Sequence, residues 1–233
     1  MGVSTAIVLA GGKGLRLSPI TYGIPKALVR IRSKPLLEWV IEWLARNGMR
    51  DVVVGVAYEK EKIIDYFGDG SRFGLRIRYS VHTVEGGTAE GFRKAIDRYV
   101  TDQTFLAMNG DELTNLNLGK MLELHVRSAA FATVAVTELK SQFGIVRLDS
   151  GDRIVGFDEK VGIPGTYVSI GLYAFQRRIL DYIPERGDIE RITFPTLSRM
   201  GKLQAYRHEG FWMTVNNLKE LQEAEDNIER IFE

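Results

Sequence analysis

"AIVLAGGKGLRLSPITYGIPKAL", Ala6 to Leu28, runs from a strand-like apolar stretch into Gly11, Gly12 and Gly14, then Arg16 and Lys26. A strand that ends at Leu9 and Ala10 and gives way to glycines has no Cβ shielding its backbone, so several N–H groups can turn toward one anion. Arg16 adds a planar fork of donors matched to phosphate oxygens, and Lys26, behind Pro25, adds a movable point charge. Glycines after a first strand also make plain tight turns, but the two cations at this spacing favour a phosphate site. Neither common phosphate motif describes it. The dinucleotide fingerprint G-x-G-x-x-G needs glycine where Leu17 stands, and the G-K-[ST] run of a P-loop is absent.

Outward from this loop, short β-branched runs alternate with longer amphipathic ones, the pattern of β-α-β units around a mostly parallel sheet. Thr5 to Ala10 reads as the first strand. "KPLLEWVIEWLARNG" reads as a helix with Leu36, Leu37, Val40, Ile41 and Leu44 at helical spacing, Pro35 near its start and Gly48 closing it. Its face with Trp39, Ile41 and Trp43 is read as core. "DVVVGVA", "GLRIRYSV", "TFLAMNGDE" and "FATVAVTEL" read as further strands, and "EKEKIIDYFGDG", "TAEGFRKAIDRYV" and "NLGKMLELHVRSAA" as helices between them. From about residue 140 the pattern changes: "FGIVRLD", "RIVGFDEK" and "TYVSIGLYAF" are strands joined by short turns such as "DSGDR", which reads as antiparallel. The tail "LKELQEAEDNIERIFE" reads as an amphipathic closing helix. Such a chain leaves a crevice at the carboxyl ends of its strands, where ligands of α/β sheets sit.

With 233 residues, 45% hydrophobic and 26% charged, the chain can bury one sizeable core, and a single domain is expected. Thirty-one Lys+Arg against 30 Asp+Glu give a formal net charge of +1, so no global field argues for a nucleic-acid partner and any pull on anions is local. The absence of cysteine excludes disulfides, thiolate zinc sites and a cysteine nucleophile. Apolar runs fall far short of the roughly 20 residues that cross a bilayer. "MGVSTAIVLAGG" has no basic leader region, and a soluble, cytoplasmic protein without membrane partners is expected.

"LAGGKGLRLSPITYGIPKAL" closely resembles the signature of the sugar-1-phosphate nucleotidylyltransferases (NDP-sugar pyrophosphorylases), L-A-G-G-x-G-T-R-L-x-P-L-T followed by P-K. The resemblance continues in order: "GGTAEG" (Gly86 to Gly91), "NGDE" (Asn109 to Glu112), "FGIV" (Phe143 to Val146), "FDEK" (Phe157 to Lys160) and "SIGLYAF" (Ser169 to Phe175) match the family's G-T-A, G-D, Y-G-V, F-x-E-K-P and A-G-I-Y-x-F segments. It implies an α/β, Rossmann-like three-layer mixed sheet (a glycosyltransferase-A-like nucleotidylyltransferase fold) with a small antiparallel sugar-binding part. Residues 1–140 would be mainly nucleotide-binding, and residues 141–233 mainly sugar-binding with a closing helix.

The reaction implied by the resemblance is NTP plus sugar 1-phosphate giving NDP-sugar and pyrophosphate, with GTP or UTP favoured as donor. Leu9, Ala10, Gly11, Gly12 and Gly14 would hold the triphosphate, with Arg16, Lys26 and Asp111 as the catalytic groups and Mg²⁺ as cofactor. His82, Gly87 and Thr88 fall where the family meets base and ribose. Asn109, Gly144, Glu159, Lys160 and Gly171 match the sugar-phosphate side. Asp111 would be the first metal ligand, with a helix N-cap as its bland alternative, and Glu159 with Lys160 also reads as a surface ion pair.

Two departures stand out. Leu15 replaces a small hydroxylated residue in the loop, and in "FWMTVNNLKEL" the place of the family's second metal aspartate is held by Thr214. "VNN" also resembles bacterial N-acetylglucosamine-1-phosphate uridylyltransferases, whose metal is held by an asparagine, so Asn216 is expected to give its amide oxygen to Mg²⁺ in this chain. The alternative is that Asn216 only caps the last helix. Thr214 also motivates a rival function, a non-catalytic sugar-nucleotide-binding regulatory protein. A third function is transfer to another phosphate, such as phosphocholine or the molybdenum cofactor, which the sugar segment disfavours. A homo-oligomer is compatible with all of these.

Overall fold

The computed structural model describes residues 2–141 and 143–233. Strand β1 (Thr5–Leu9) leads into the glycine loop, and a short hairpin of β2 (Arg30–Ile31) and β3 (Lys34–Pro35) leads into α1 (Leu36–Arg46). Next come β4 (Asp51–Val56), α2 (Lys60–Phe67), β5 (Arg76–Val81), α3 (Gly87–Tyr99) and β6 (Thr104–Asn109). They are followed by β7 (Glu112–Thr114), α4 (Leu118–Ser128), β8 (Ala132–Lys140), β9 (Ile145–Leu148), β10 (Ile154–Asp158) and β11 (Gly162–Gln176). The chain closes through α5 (Thr193–Arg199), β12 (Leu203–Arg207), β13 (Trp212–Thr214) and α6 (Leu218–Asn227).

Seven strands form one sheet in the order β12-β8-β11-β6-β1-β4-β5. Strands β6, β1, β4 and β5 are parallel, and the first three are nearly continuous apolar runs because helices cover both faces. One face carries α1, α2, α4 and α6, packed through residues such as Leu37, Ile63, Met121 and Leu221. The other carries α3 and α5, through Phe92, Ile96, Phe194 and Leu197. Trp39, Ile41 and Trp43 are buried, as the helical spacing predicts.

The antiparallel part is not confined to a small separate region. β11 runs through the main sheet, antiparallel to both β6 and β8, while β9 and β10 form a ribbon outside it. The reason is legible in its own residues: "IGLYAF" is wholly buried and suits the middle of a sheet, not a surface hairpin. Among the described residues no helix is long and apolar enough to cross a membrane.

On α4, His125 is fully buried, with Nδ1 2.8 Å from Thr133 Oγ1 and no partner for Nε2 among the described residues. Burial pushes its pKa down to about 4. The unfolded chain accepts that proton near pH 6.5, so stability that is complete above this pH falls as the pH drops toward 4, by up to about 3 kcal/mol. Urea titrations between pH 7 and 4 should show the wild type losing more stability than His125→Gln. Equal losses would remove His125 from the acid sensitivity.

Candidate active site

Parallel strands all point the same way, so the loops at their carboxyl ends gather along one edge of the sheet. Leu9 pairs in register with both Gly55 and Asn109, and the Gly110 N–H donates to Leu9 O at 2.8 Å. The glycine loop after β1, His82 after β5 and Asp111 after β6 therefore share that edge. Between them lies a pocket of about 290 Å³ lined by Leu9, Gly11, Gly12, His82, Val84, Gly87, Thr88, Asn109, Asp111 and Asp188. Eight of those ten positions are predicted site residues; Val84 and Asp188 are additions. Ala10, Gly12, Lys26 and Asp111 line an adjoining smaller cavity.

At the phosphate end, the Lys26 N–H donates to Gly12 O at 3.4 Å, which lays the Pro25–Lys26 segment against the glycine loop. Lys26 Nζ donates to Asp111 Oδ2 in a short ion pair, and to Asn216 Oδ1 at 2.8 Å. Arg16 Nη2 reaches the same amide oxygen at 3.3 Å. Groups up to 200 residues apart in the chain thus meet at one point. Gly14 lies in the left-handed region at φ 66, turning the loop, and Leu15 is exposed to solvent.

Asp111 and Asn216 come together through a two-stranded ladder that the sequence reading did not contain. β7 pairs antiparallel with β13, Glu112 opposite Thr214, so the residues just outside each strand emerge side by side. Trp212 Nε1 donates to Glu112 Oε2 at 2.8 Å and fastens the ladder. Burial, with the neighbouring Asp111 charge, drives the Glu112 carboxyl well above its ordinary range. The Asn216 amide is oriented from its other end: Nδ2 donates to Thr214 Oγ1 at 3.0 Å, leaving Oδ1 to face Lys26. Its backbone N–H donates to Glu220 Oε2 at 2.7 Å.

The helix-cap alternatives belong to other residues. Asn117 caps α4, accepting from the Lys120 N–H at 3.0 Å, and Asn217 caps α6, accepting from the Glu220 N–H at 2.9 Å. The N-x-x-E spacing of Asn217 and Glu220 is a capping-box signal that would have moved the cap off Asn216. The two neighbours should therefore separate in experiment. Asn217→Ala costs about 1 kcal/mol in urea unfolding. Asn216→Ala leaves stability near wild type and lowers turnover by about 10²-fold. A stability loss confined to Asn216→Ala would reverse the assignment.

At the opposite end, His82 is buried beneath Gly11: a Cβ there would stand 2.6 Å from His82 Nε2, so only glycine lets loop and imidazole coexist. Burial lowers the His82 pKa and keeps the ring neutral. The turn after it is pinned by Glu90, which accepts from the Thr83 N–H at 3.0 Å and from Thr83 Oγ1 at 2.5 Å. Ion pairing with Lys94, then these bonds, holds the Glu90 pKa at about 2. Thr88 lines the pocket, and its hydroxyl donates to Glu190 at 2.8 Å and accepts from the Ile189 N–H at 3.0 Å, which anchors the loop at 187–190. Asp188 is the side chain this loop presents to the pocket.

Of the residues expected on the sugar side, Gly171 sits in a bulge of β11 beside Asn109 and Glu112. Gly144 and Glu159 meet across the β9–β10 ribbon. Glu159 and Lys160 are exposed in the bend just after β10 and form no ion pair with each other among the described residues, and no hydrogen bond there joins them to the Lys26 cluster.

The nucleotidyl transferase family profile matches residues 5–231. The chain belongs to that family. UTP–glucose-1-phosphate uridylyltransferase of Synechocystis sp. is 33% identical over 239 residues, 94% of this chain and 62% of its own length. The chain thus spans less than two thirds of that relative's length. A Bacillus subtilis protein named probable glucose-1-phosphate cytidylyltransferase is 31% identical over 94% of both chains. Among solved structures, HddC of Yersinia pseudotuberculosis shares the fold, with a TM-score of 0.77 at 23% identity over 97% of this chain and all of that one. Both halves of the chain lie within the family match, and the mixed α/β sheet is the one expected.

Proposed function

We propose that this nucleotidyl transferase moves a nucleoside monophosphate from an NTP to a sugar 1-phosphate, releasing pyrophosphate and an NDP-sugar. The observation that carries the reading is the convergence of Arg16, Lys26, Asp111 and Asn216 beside a pocket that Gly11 and Gly12 help to line. Such a reaction brings two anions together and needs alignment and charge neutralisation more than a nucleophilic side chain. A sugar-phosphate oxygen bonds to the α-phosphorus as the bond to the departing pyrophosphate breaks. Lys26 would meet the α-phosphate, and Arg16 the β and γ end that leaves with the charge. The glycine loop supplies N–H donors, and neutral His82 faces the base.

The donor set fits Mg²⁺: a carboxylate oxygen and an amide oxygen already share one cation, and hard oxygen ligands completed by phosphates are what this ion takes. Asp111 and Asn216 would hold it, and when bound it supplies further neutralisation of the triphosphate. Asn109, Gly144, Glu159, Lys160 and Gly171 form the sugar side, and no nucleic-acid or membrane partner is needed in a cytoplasmic reaction of this kind.

The rival reading as a non-catalytic sensor rests on Thr214, and the amide oxygen of Asn216 at 2.8 Å from Lys26 makes good that loss. Relatives are named for uridylyl, guanylyl and cytidylyl transfer, so the donor is a matter for assay. Purified protein with Mg²⁺, each of GTP, UTP, CTP and dTTP, and a panel of hexose and heptose 1-phosphates should release pyrophosphate with one pair. Tight nucleotide binding without release from any pair would install the sensor reading.

A further inference from the structure

Asp111 Oδ2 and Asn216 Oδ1, the two oxygens assigned to the metal, already share a cation. Lys26 Nζ bonds both, with its side chain only 12% exposed and that of Asp111 26% exposed. The cluster also holds more cation than anion. One carboxylate meets the ammonium, Arg16 Nη2 reaches the amide oxygen at 3.3 Å, and the amide, its nitrogen turned to Thr214, adds an acceptor without adding charge. An aspartate at 216 would give a divalent ion a second charged oxygen; the asparagine does not. A metal that takes these oxygens must evict Lys26, and among the described residues the ammonium has no other carboxylate within ion-pairing distance.

We propose that Lys26 is a built-in plug for the metal site, and that a triphosphate removes it by offering the ammonium a new anion. This rests on the proposed function in one respect only, that the pocket takes a nucleotide. The consequence is a coupling: nucleotide raises metal affinity, and by reciprocity metal raises nucleotide affinity by the same factor. Divalent ion then enters with the substrate and not ahead of it, and Lys26 is delivered to the phosphates by the same exchange.

Mn²⁺ binding followed by electron paramagnetic resonance tests this without turnover, with and without the α,β-methylene analogues of GTP and UTP. Circular dichroism checks that each variant folds. Without nucleotide, Lys26→Ala and Asn216→Asp should each bind Mn²⁺ at least about tenfold more tightly than wild type, and the analogue should tighten the wild type by a similar factor. Arg16→Ala removes a nearby charge without vacating the position, so it should change affinity by less than about threefold. Nucleotide-free wild type binding as tightly as Lys26→Ala overturns the plug, as does Arg16→Ala matching Lys26→Ala, or Mn²⁺ binding to no variant. Failure of the proposed function looks different: wild type that binds Mn²⁺ and analogue yet releases no pyrophosphate from any pair leaves the metal comparison standing.

Discussion

Lys26→Ala should lower kcat/KM for pyrophosphate release by about 10³-fold, roughly 4 kcal/mol of transition-state stabilisation, with the fold intact. The size comes from position. A cation held in a largely enclosed corner beside the phosphate pocket passes to the phosphates by one exchange of partners, and there little water screens it from the developing charge. Lys26 is two-thirds committed in advance: its Nζ has three N–H bonds, and two already have acceptors. Lys26→Arg should recover little, because a planar fork cannot seat one point charge between two converging oxygens. The same Lys26→Ala protein is expected to bind metal more tightly while turning over poorly, a dissociation that general damage to the fold does not produce. Steady-state assays with the active substrate pair decide it, and a loss under tenfold would take Lys26 out of the chemistry.

Gly87→Ala should cost about 3 kcal/mol of stability and lower Tm by on the order of 10 °C. Gly87 opens α3 with φ 66 and ψ −166, a combination almost confined to glycine. An added Cβ would stand 2.4 Å from Gly187 O and 2.8 Å from its carbonyl carbon, which are backbone atoms and cannot rotate away. The loop that would have to move is bonded here, Gly187 N–H to Gly86 O at 2.9 Å and Ala89 N–H to Gly187 O at 2.8 Å. The second of these bonds satisfies one of the first helical N–H groups of α3, which otherwise lacks a partner. Displacing the loop also carries Asp188 away from the pocket, so nucleotide affinity should fall together with Tm. A Tm within about 2 °C of wild type would show that the loop yields cheaply.

The parallel half of the sheet and the glycine loop were legible because their signals are local. Apolar runs of strand length and glycines after Leu9 do not depend on distant context. Arg16, Lys26 and Asp111 were legible as types, but their meeting was not, since nothing in a local window reports an approach across 85 or 190 residues. β7, β12 and β13 escaped for a related reason: three to five residues such as "ELT" or "WMT" show no periodicity, and only pairing makes them strands. The second task of Thr88 was not legible, because the two partners of its hydroxyl lie in a loop about a hundred residues away. Glu112 could have been noticed as a second carboxylate beside Asp111, but only the Trp212 contact gives it a task.

The ladder between β7 and β13 also sets an order of events during synthesis. Glycine loop, Lys26 and Asp111 all leave the ribosome well before Trp212 to Asn216 emerge. A nascent or truncated chain that stops short of β13 can pair Lys26 with Asp111 but has no second oxygen to complete the cluster. Under the proposed function the cluster is therefore completed only when β13 has folded against β7, and the same closing segment brings Leu221, Ala224, Ile228 and Ile231 into the core.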